Sequence, residues 1–509
     1  MTAENIPTTP ATAAIVAAPA HRSQDFTQGS IPRHLVVFTW PMLIGQLLQT
    51  MYSVVNAIWV GQFLGSDALA ATSVGFPIIF ALIALVLGLT MATTVLVSQY
   101  FGARQPEMVT RAVNSSLLLQ VVLGAVVTIV GIAARRPLLA LVNTPPEIMD
   151  QASAYLGIFL SGMIPMFLFN AVSSVLRGLG DSRTPLRLLV YTTVLNAALD
   201  PLLILGLGPL PRLGVAGAAL ASVISIVVSA VIALRYLPAA SRATLFRREF
   251  LRPDWRIIRA IFRIGLPAGL QQVVTSLAIV TVSALVNAFG TEATAGLGLA
   301  VRLEQLGIMP AMAVGMGVSA LVGQNLGAGN VKRAREVAKW AILLGVGVTL
   351  LYVTLAQACP ALLMRIFTRE AGVAGVGIGY LRTVSLVYPF TAVFFVLSGV
   401  LRGAGDTTPS LVFTTLCLWV IRVPLAAYLS AKPELGVRGI WLAIAVSPPV
   451  NVLLHSLYYR YGPWLKKAVV RRARSEASAE WTAPGNRRNR LAPISRRKDR
   501  LLPQRTIAT

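Results

Sequence analysis

Apolar stretches of about 20 residues recur along almost the whole chain, each long enough to cross roughly 30 Å of hydrocarbon as a helix. They fall near 35–60, 73–98, 113–134, 152–176, 187–208, 214–236, 260–288, 294–322, 337–359, 377–401, 411–431 and 437–461. In lipid, every backbone N–H and C=O needs a partner within the protein, so only helices and closed barrels span the bilayer. A barrel strand has about ten residues of alternating polarity, whereas these runs are longer and continuous. An all-α polytopic membrane protein with twelve transmembrane helices is therefore expected. Composition agrees: 55% of the 509 residues are hydrophobic and 12% are charged, against about 25% charged in a soluble domain.

The formal net charge of +25 invites a nucleic-acid reading, but its distribution points elsewhere. Three of the 44 Lys and Arg residues fall within spans: Arg302, Arg382 and Arg422. Seven lie in alternate loops: Arg135, Arg136, Arg212, Arg365, Arg369, Lys432 and Arg438. The remaining 34 occupy the other loops and the two tails. This bias is the positive-inside pattern. It predicts a multi-pass protein of the cell (inner or plasma) membrane with both termini cytoplasmic, and no nucleic-acid partner. Residues 1–33 lack the basic start and apolar core of a signal peptide and read as a disordered cytoplasmic tail. Residues 462–509 read as a basic cytoplasmic tail drawn to anionic lipid.

The chain also repeats itself. "LVSQYFGA" (96–103) matches "LVGQNLGA" (321–328), and "VLRGLGD" (175–181) matches "VLRGAGD" (400–406), both offset by 225 residues. "LGVAG" (213–217) matches "LGVRG" (435–439). Two homologous six-helix lobes follow, at 34–236 and 260–461, joined by a cytoplasmic connector at 237–259. An even number of spans per lobe makes them parallel repeats about an axis along the membrane normal, a plan used by transporters with a cavity between two bundles.

Ionisable side chains within a span are costly and mark function or a buried partner. Asp200, in "LNAALDPLLILG", follows Asn196 by four residues, which places both on one helix face. Pro201 removes an N–H from the helical ladder and frees a carbonyl. Such an oxygen-rich cluster suits Na⁺, or a carboxylate that takes up and releases H⁺; a surface helix terminus is the structural alternative. Asn56 and Asn170 are further candidates for the same cation-coupling cluster, or helix–helix hydrogen bonds. In the second lobe, Arg302 and Glu304 either pair or line a site for a cationic substrate, and Arg422 has no acid near it in sequence. Met163, Met166, Phe167, Met309 and Met312 are candidate pocket-lining residues, since methionine adapts to varied apolar ligands; packing is the alternative for each. In the "LRGxGD" turns, Arg177 with Asp181, and Arg402 with Asp406, are expected to tie the turn together, as a structural feature or as a gate latch.

No GxxxxGK[ST] loop, nucleophile–base pairing or metal-ligand spacing occurs, so neither an enzyme nor a cofactor is expected, and no metal beyond a Na⁺ at Asp200. Cys359 and Cys417 suggest no disulfide framework. The three histidines read as packed or exposed side chains.

These motifs, with "MYSVVNAIWVGQFLG" and "LNAALDP", resemble the multidrug and toxic compound extrusion (MATE) family over residues 33–462, and within it the prokaryotic DinF-like branch. The resemblance implies a V-shaped pair of six-helix lobes and a secondary active antiporter exporting cationic or amphipathic compounds in exchange for H⁺ or Na⁺. It also implies a cation site in the N-terminal lobe, with Asn196 and Asp200 matching that branch's amide and acid on the fifth span. Many relatives carry an acid where this chain has Asn56, and an amide cannot release a proton. Flipping of a lipid-linked substrate, as in the wider superfamily, is the alternative function. The expected partners are the small-molecule substrate and membrane lipid, with the chain as a monomer.

Overall fold

A computed structural model describes residues 23–206, 212–244 and 253–470. In the first half, α1 (Ile31–Leu64), α2 (Ser66–Gly102) and α3 (Pro106–Leu141) are single long helices. The fourth span is α4 (Pro146–Ser161) and α5 (Met163–Gly178), bent by 46°. Pro165 explains the bend, because a proline ring has no N–H and clashes with the carbonyl four residues back. Then come α6 (Arg183–Leu205), α7 (Val215–Leu234) and a short connector helix, α8 (Ala239–Thr244).

The second half repeats the plan. It holds α9 (Trp255–Asn287), α10 (Thr291–Gly327), α11 (Val331–Ala358) and a short α12 (Pro360–Arg365). Its fourth span is α13 (Ala371–Val384) and α14 (Tyr388–Gly403), joined by a 3₁₀ turn before Pro389. Its fifth is α15 (Thr408–Thr415), a π-helical stretch Leu416–Arg422 and α16 (Val423–Ser430). The last span is α17 (Val437–Tyr461). Among the described residues, ten helical stretches are long and apolar enough to cross a membrane, and the bent α4–α5 pair makes an eleventh. The 37-residue α2 completes the twelve expected.

The halves meet where α2 and α10 cross. A Cβ on Gly102 would stand 2.0 Å from the Gln324 carbonyl oxygen, and one on Gly327 would stand 2.0 Å from that of Gln99. Only glycine admits backbones this close. Both glycines end their helices, so the crossing lies at the end of the bundle that also carries residues 23–30 and 462–470. One apolar core joins α2, α3 and α5 residues to Ile257, Ile261 and Ile264 of α9 and to Val470, and another joins α10, α11 and α14 residues to Leu35 and Phe38 of α1 and to Phe26.

Three expected boundaries shift. Residues 23–33, assigned to a disordered tail, are ordered: Phe26 is 1% exposed and α1 starts at Ile31. Residues 462–470, assigned to the other tail, pack through buried Trp464 and Val470. Residues 255–259, assigned to the connector, open α9, because the Asp254 carboxylate accepts the Arg256 N–H at 2.9 Å as an N-cap. Burial of aromatic and aliphatic side chains flanked by polar residues outweighs the low local hydropathy in the first two cases. Residues 1–22, 245–252 and 471–509 lie outside the described residues.

Candidate functional site

Helix α6 begins beside Asp181, whose carboxylate accepts the Arg183 and Thr184 N–H groups at 3.0 Å each. It ends at Gly206 in the left-handed conformation. Along it, Thr184, Leu188, Thr192, Asn196 and Asp200 are all buried. The four-residue spacing makes them one stripe, and the stripe faces α7. Thr192 donates to Ser229 Oγ at 2.6 Å, and Asn196 meets Ser222 one turn further on. Polar seams of this kind fix the rotation of two apolar helices against each other.

Asp200 is 0% exposed and Asn196 is 1% exposed. With the Asn196 amide oriented to satisfy both ends, Nδ2 donates to Asp200 Oδ2 at 3.1 Å and Oδ1 accepts from the Ser222 N–H at 3.2 Å. The Ser222 hydroxyl lies 3.0 Å from Tyr52 Oη, and Asn56, one turn along α1, lies within electrostatic reach of the same hydroxyl. Tyr155 of α4 stands within electrostatic reach of both Asp200 and Tyr52. A half-buried Asn56 is thus linked to the acid through Tyr52, Ser222 and Asn196. Among the described residues, no basic side chain forms an ion pair with Asp200. Pro201 leaves the Ala197 carbonyl without its helical N–H.

Asn170 does not join this cluster through any described hydrogen bond. Its Nδ2 donates to the Met166 carbonyl at 2.9 Å, within its own helix. Met163, Phe167 and Met309 are buried in the packed halves, while Met166 and Met312 are half-buried. Met166 and Met312 are thus the more accessible of the five candidates.

In the second half, Glu304 is not paired with Arg302, which is exposed. Residues two apart on a helix point in different directions. Glu304 instead accepts a hydrogen bond from the Tyr380 hydroxyl of α13. Tyr380 sits edge-on to Trp441 at 4.9 Å. Arg422 lies within electrostatic reach of Glu304 and donates through Nε to Ser447 Oγ at 2.6 Å. The Tyr352 hydroxyl donates to the Leu303 carbonyl at 2.7 Å.

The "LRGxGD" acids also have other partners than expected. Asp181 caps α6, and Arg177 donates to Ser174 Oγ at 3.0 Å. Asp406 accepts from Tyr458 at 2.6 Å and from Lys467 at 3.4 Å. A glycine turn sends the acid towards the next element and away from the preceding arginine. His455 packs between helices, bonded to the Asn451 carbonyl at 2.9 Å and to Ser410 Oγ at 3.2 Å.

Tyr52, Ser222 and Tyr380 were not singled out from the sequence. Tyr52 alone carried a signal, lying four residues before Asn56 on the same face.

The family model described as MatE matches residues 41–202 and, separately, residues 267–428. The chain belongs to the MatE family. The double match coincides with the two structural halves and makes the protein a member of a membrane-transporter family, not an enzyme. Among relatives in the MatE family, the "Probable multidrug resistance protein YpnP" of Bacillus subtilis (strain 168) is 33% identical, over 87% of this chain and 98% of its own length. A structure described as the outward-facing conformation of a multidrug resistance MATE family transporter superposes with TM-score 0.78 at 27% identity. It covers 90% of this chain and 99% of that one. A MOP superfamily transporter from Pyrococcus furiosus Vc1 (DSM3638) gives TM-score 0.79 at 28% identity, covering 86% and 97%.

Proposed function

We propose that this chain is a secondary active antiporter that exports cationic or amphipathic compounds in exchange for H⁺, with Asp200 as the coupling acid. The observation that carries this reading is a carboxylate fully enclosed within a span, given one amide donor and no described cationic partner. An unpaired charge at that depth is costly, and binding a cation or a proton removes it. The neighbouring oxygens favour the proton. Asn196 Oδ1 is engaged by the Ser222 N–H, and the Ser222 and Tyr52 hydroxyls are engaged with each other. A hard metal cation needs several oxygen ligands at once, whereas a proton needs one. Asn56 acts through Tyr52 as a positioning residue.

Relatives described as multidrug resistance proteins support a varied small-molecule substrate, and Met166 and Met312, whose soft side chains suit varied apolar surfaces, support an amphipathic one. The positive-inside bias supports cytoplasmic termini in the cell's inner or plasma membrane, so the α2–α10 crossing closes the cytoplasmic mouth. One chain carries both halves of the cavity, which supports a monomer. Flipping of a diphosphate-linked lipid calls for a strongly basic cavity. The interior basic residues do not supply it: Arg302 and Arg382 are exposed, and Arg422 is held by Ser447.

Proteoliposomes loaded with a cationic dye test this directly. Export is expected under a pH gradient without Na⁺. Export driven by a Na⁺ gradient alone overturns the proton assignment, and export indifferent to both overturns antiport.

A further inference from the structure

We propose that residues 23–30, before α1, and 462–470, after α17, are crossed straps that hold the cytoplasmic mouth shut. The inference rests on the transporter reading for its meaning and on contacts between the halves for its substance. Gln99 and Gln324 are the matching glutamines of the two "LVxQ" motifs, and each is 0% exposed. Gln99 Nε2 crosses to the other half and donates to the Gly403 carbonyl at 2.8 Å. Gln324 Nε2 makes the reciprocal bond to the Gly178 carbonyl at 3.1 Å. The acceptors are the first glycines of the opposite half's "LRGxGD" turn. A pair of buried amides therefore ties each half to the other's fourth span.

The amide oxygens then take hold of the straps. Gln324 Oε1 accepts the Phe26 N–H at 3.0 Å. Gln99 Oε1 accepts the Val469 N–H at 2.8 Å and the Val470 N–H at 3.4 Å. Each strap also lies over the turn of its own half. A Cβ on Gly180, whose φ is +87°, would meet the Gln24 carbonyl at 2.4 Å. One on Gly405, at φ +81°, would stand 3.5 Å from Val469.

Each strap thus starts on its own half and is caught by the other. The N-terminal strap is held more firmly. Asn325 Nδ2 donates to the Phe26 carbonyl at 3.2 Å, and Arg333 donates to the carbonyls of Phe26, Gln28 and Gly29 at 3.0, 2.9 and 2.6 Å. The side chains are buried at the same junction, Phe26 in the core where α10, α11 and α14 meet α1, and Val470 in the core where α2, α3 and α5 meet α9. Parting α2 from α10 breaks both glutamine clamps and pulls each strap from its core. The straps therefore bias the alternating-access equilibrium towards the state closed on the cytoplasmic side.

The test uses the full chain in nanodiscs, with Cys359→Ala and Ser98→Cys as reporter. Ser98 lies at the crossing, against Gly323 of the other half. Native Cys417, buried within the second half, reports on folding. Two changes are compared with this background: a chain ended after Lys467, which removes the Val469 and Val470 donors but no span, and Gln324→Leu. Each is expected to raise maleimide labelling at position 98 on the order of tenfold, as the loss of one or two buried hydrogen bonds implies, with Cys417 still protected. Labelling within twofold of the background in both variants overturns the proposal. Joint labelling of both cysteines overturns it too, because the straps then hold the fold and not the mouth. Dye export is read separately: an opened mouth in a protein that moves no dye under any gradient refutes the antiport reading and leaves the straps standing.

Discussion

In the first half, the acid within the spans sits on the fifth span, α6, one turn after an amide and next to a proline. In the second, it sits on the second span, α10, and is held by a tyrosine from the fourth, on α13. Where the first half reads Asp200-Pro201, the second reads Arg422-Val423-Pro424. The segment ending at Arg422 is π-helical, a local widening often found at functional positions. The backbone plan is shared, but the charges have diverged. Glu304 has a phenol donor and a nearby guanidinium, while Asp200 has an amide donor and no described cation. A carboxylate with a guanidinium nearby holds its charge more readily than a fully buried one without a cation, which gains more from taking up a proton. On the proposed function, exchange belongs to the first half and scaffolding to the second.

The largest effect is expected from Asp200→Asn. Gradient-driven dye export should fall to that of protein-free vesicles, with unchanged protein in the membrane. Normal export by this variant removes the proposed mechanism. Asn196→Ala takes away the amide donor to Asp200. Export should slow about tenfold, in line with about 1–3 kcal/mol for an unsatisfied buried polar group, and initial rates at fixed pH gradient measure it. Glu304→Gln keeps an acceptor for Tyr380 but removes the charge. Export should stay within about threefold, while thermal unfolding in detergent should report a loss of about 1–2 kcal/mol. If Glu304→Gln abolishes export and Asp200→Asn does not, the assignment of roles to the two halves is reversed. Asn56→Asp should have the smallest effect on rate, under about threefold. By adding a second titrating group to the Tyr52–Ser222 chain, it should alter the pH dependence of export. An unchanged profile makes Asn56 a packing residue.

Much of this was readable before any coordinates, for a physical reason. Lipid offers no hydrogen bonds, so twelve apolar runs leave one architecture. Helical geometry puts residues four apart on one face, so Asn196 and Asp200 could be paired from their spacing alone. Repeated motifs such as "LVxQ" and "LRGxGD" disclosed the two halves without showing that each motif grips the other half's partner. That needed the tertiary structure. The bonds from Gln99 to Val469 and from Gln324 to Phe26 span 370 and 298 positions, and they depend on how α2 and α10 cross. The same holds for Tyr52 reaching Ser222, and for Glu304 turning to Tyr380 in place of Arg302. Periodicity sets which side chains share a face of one helix. The rotation and depth of its neighbours, decided by close packing, set what that face meets.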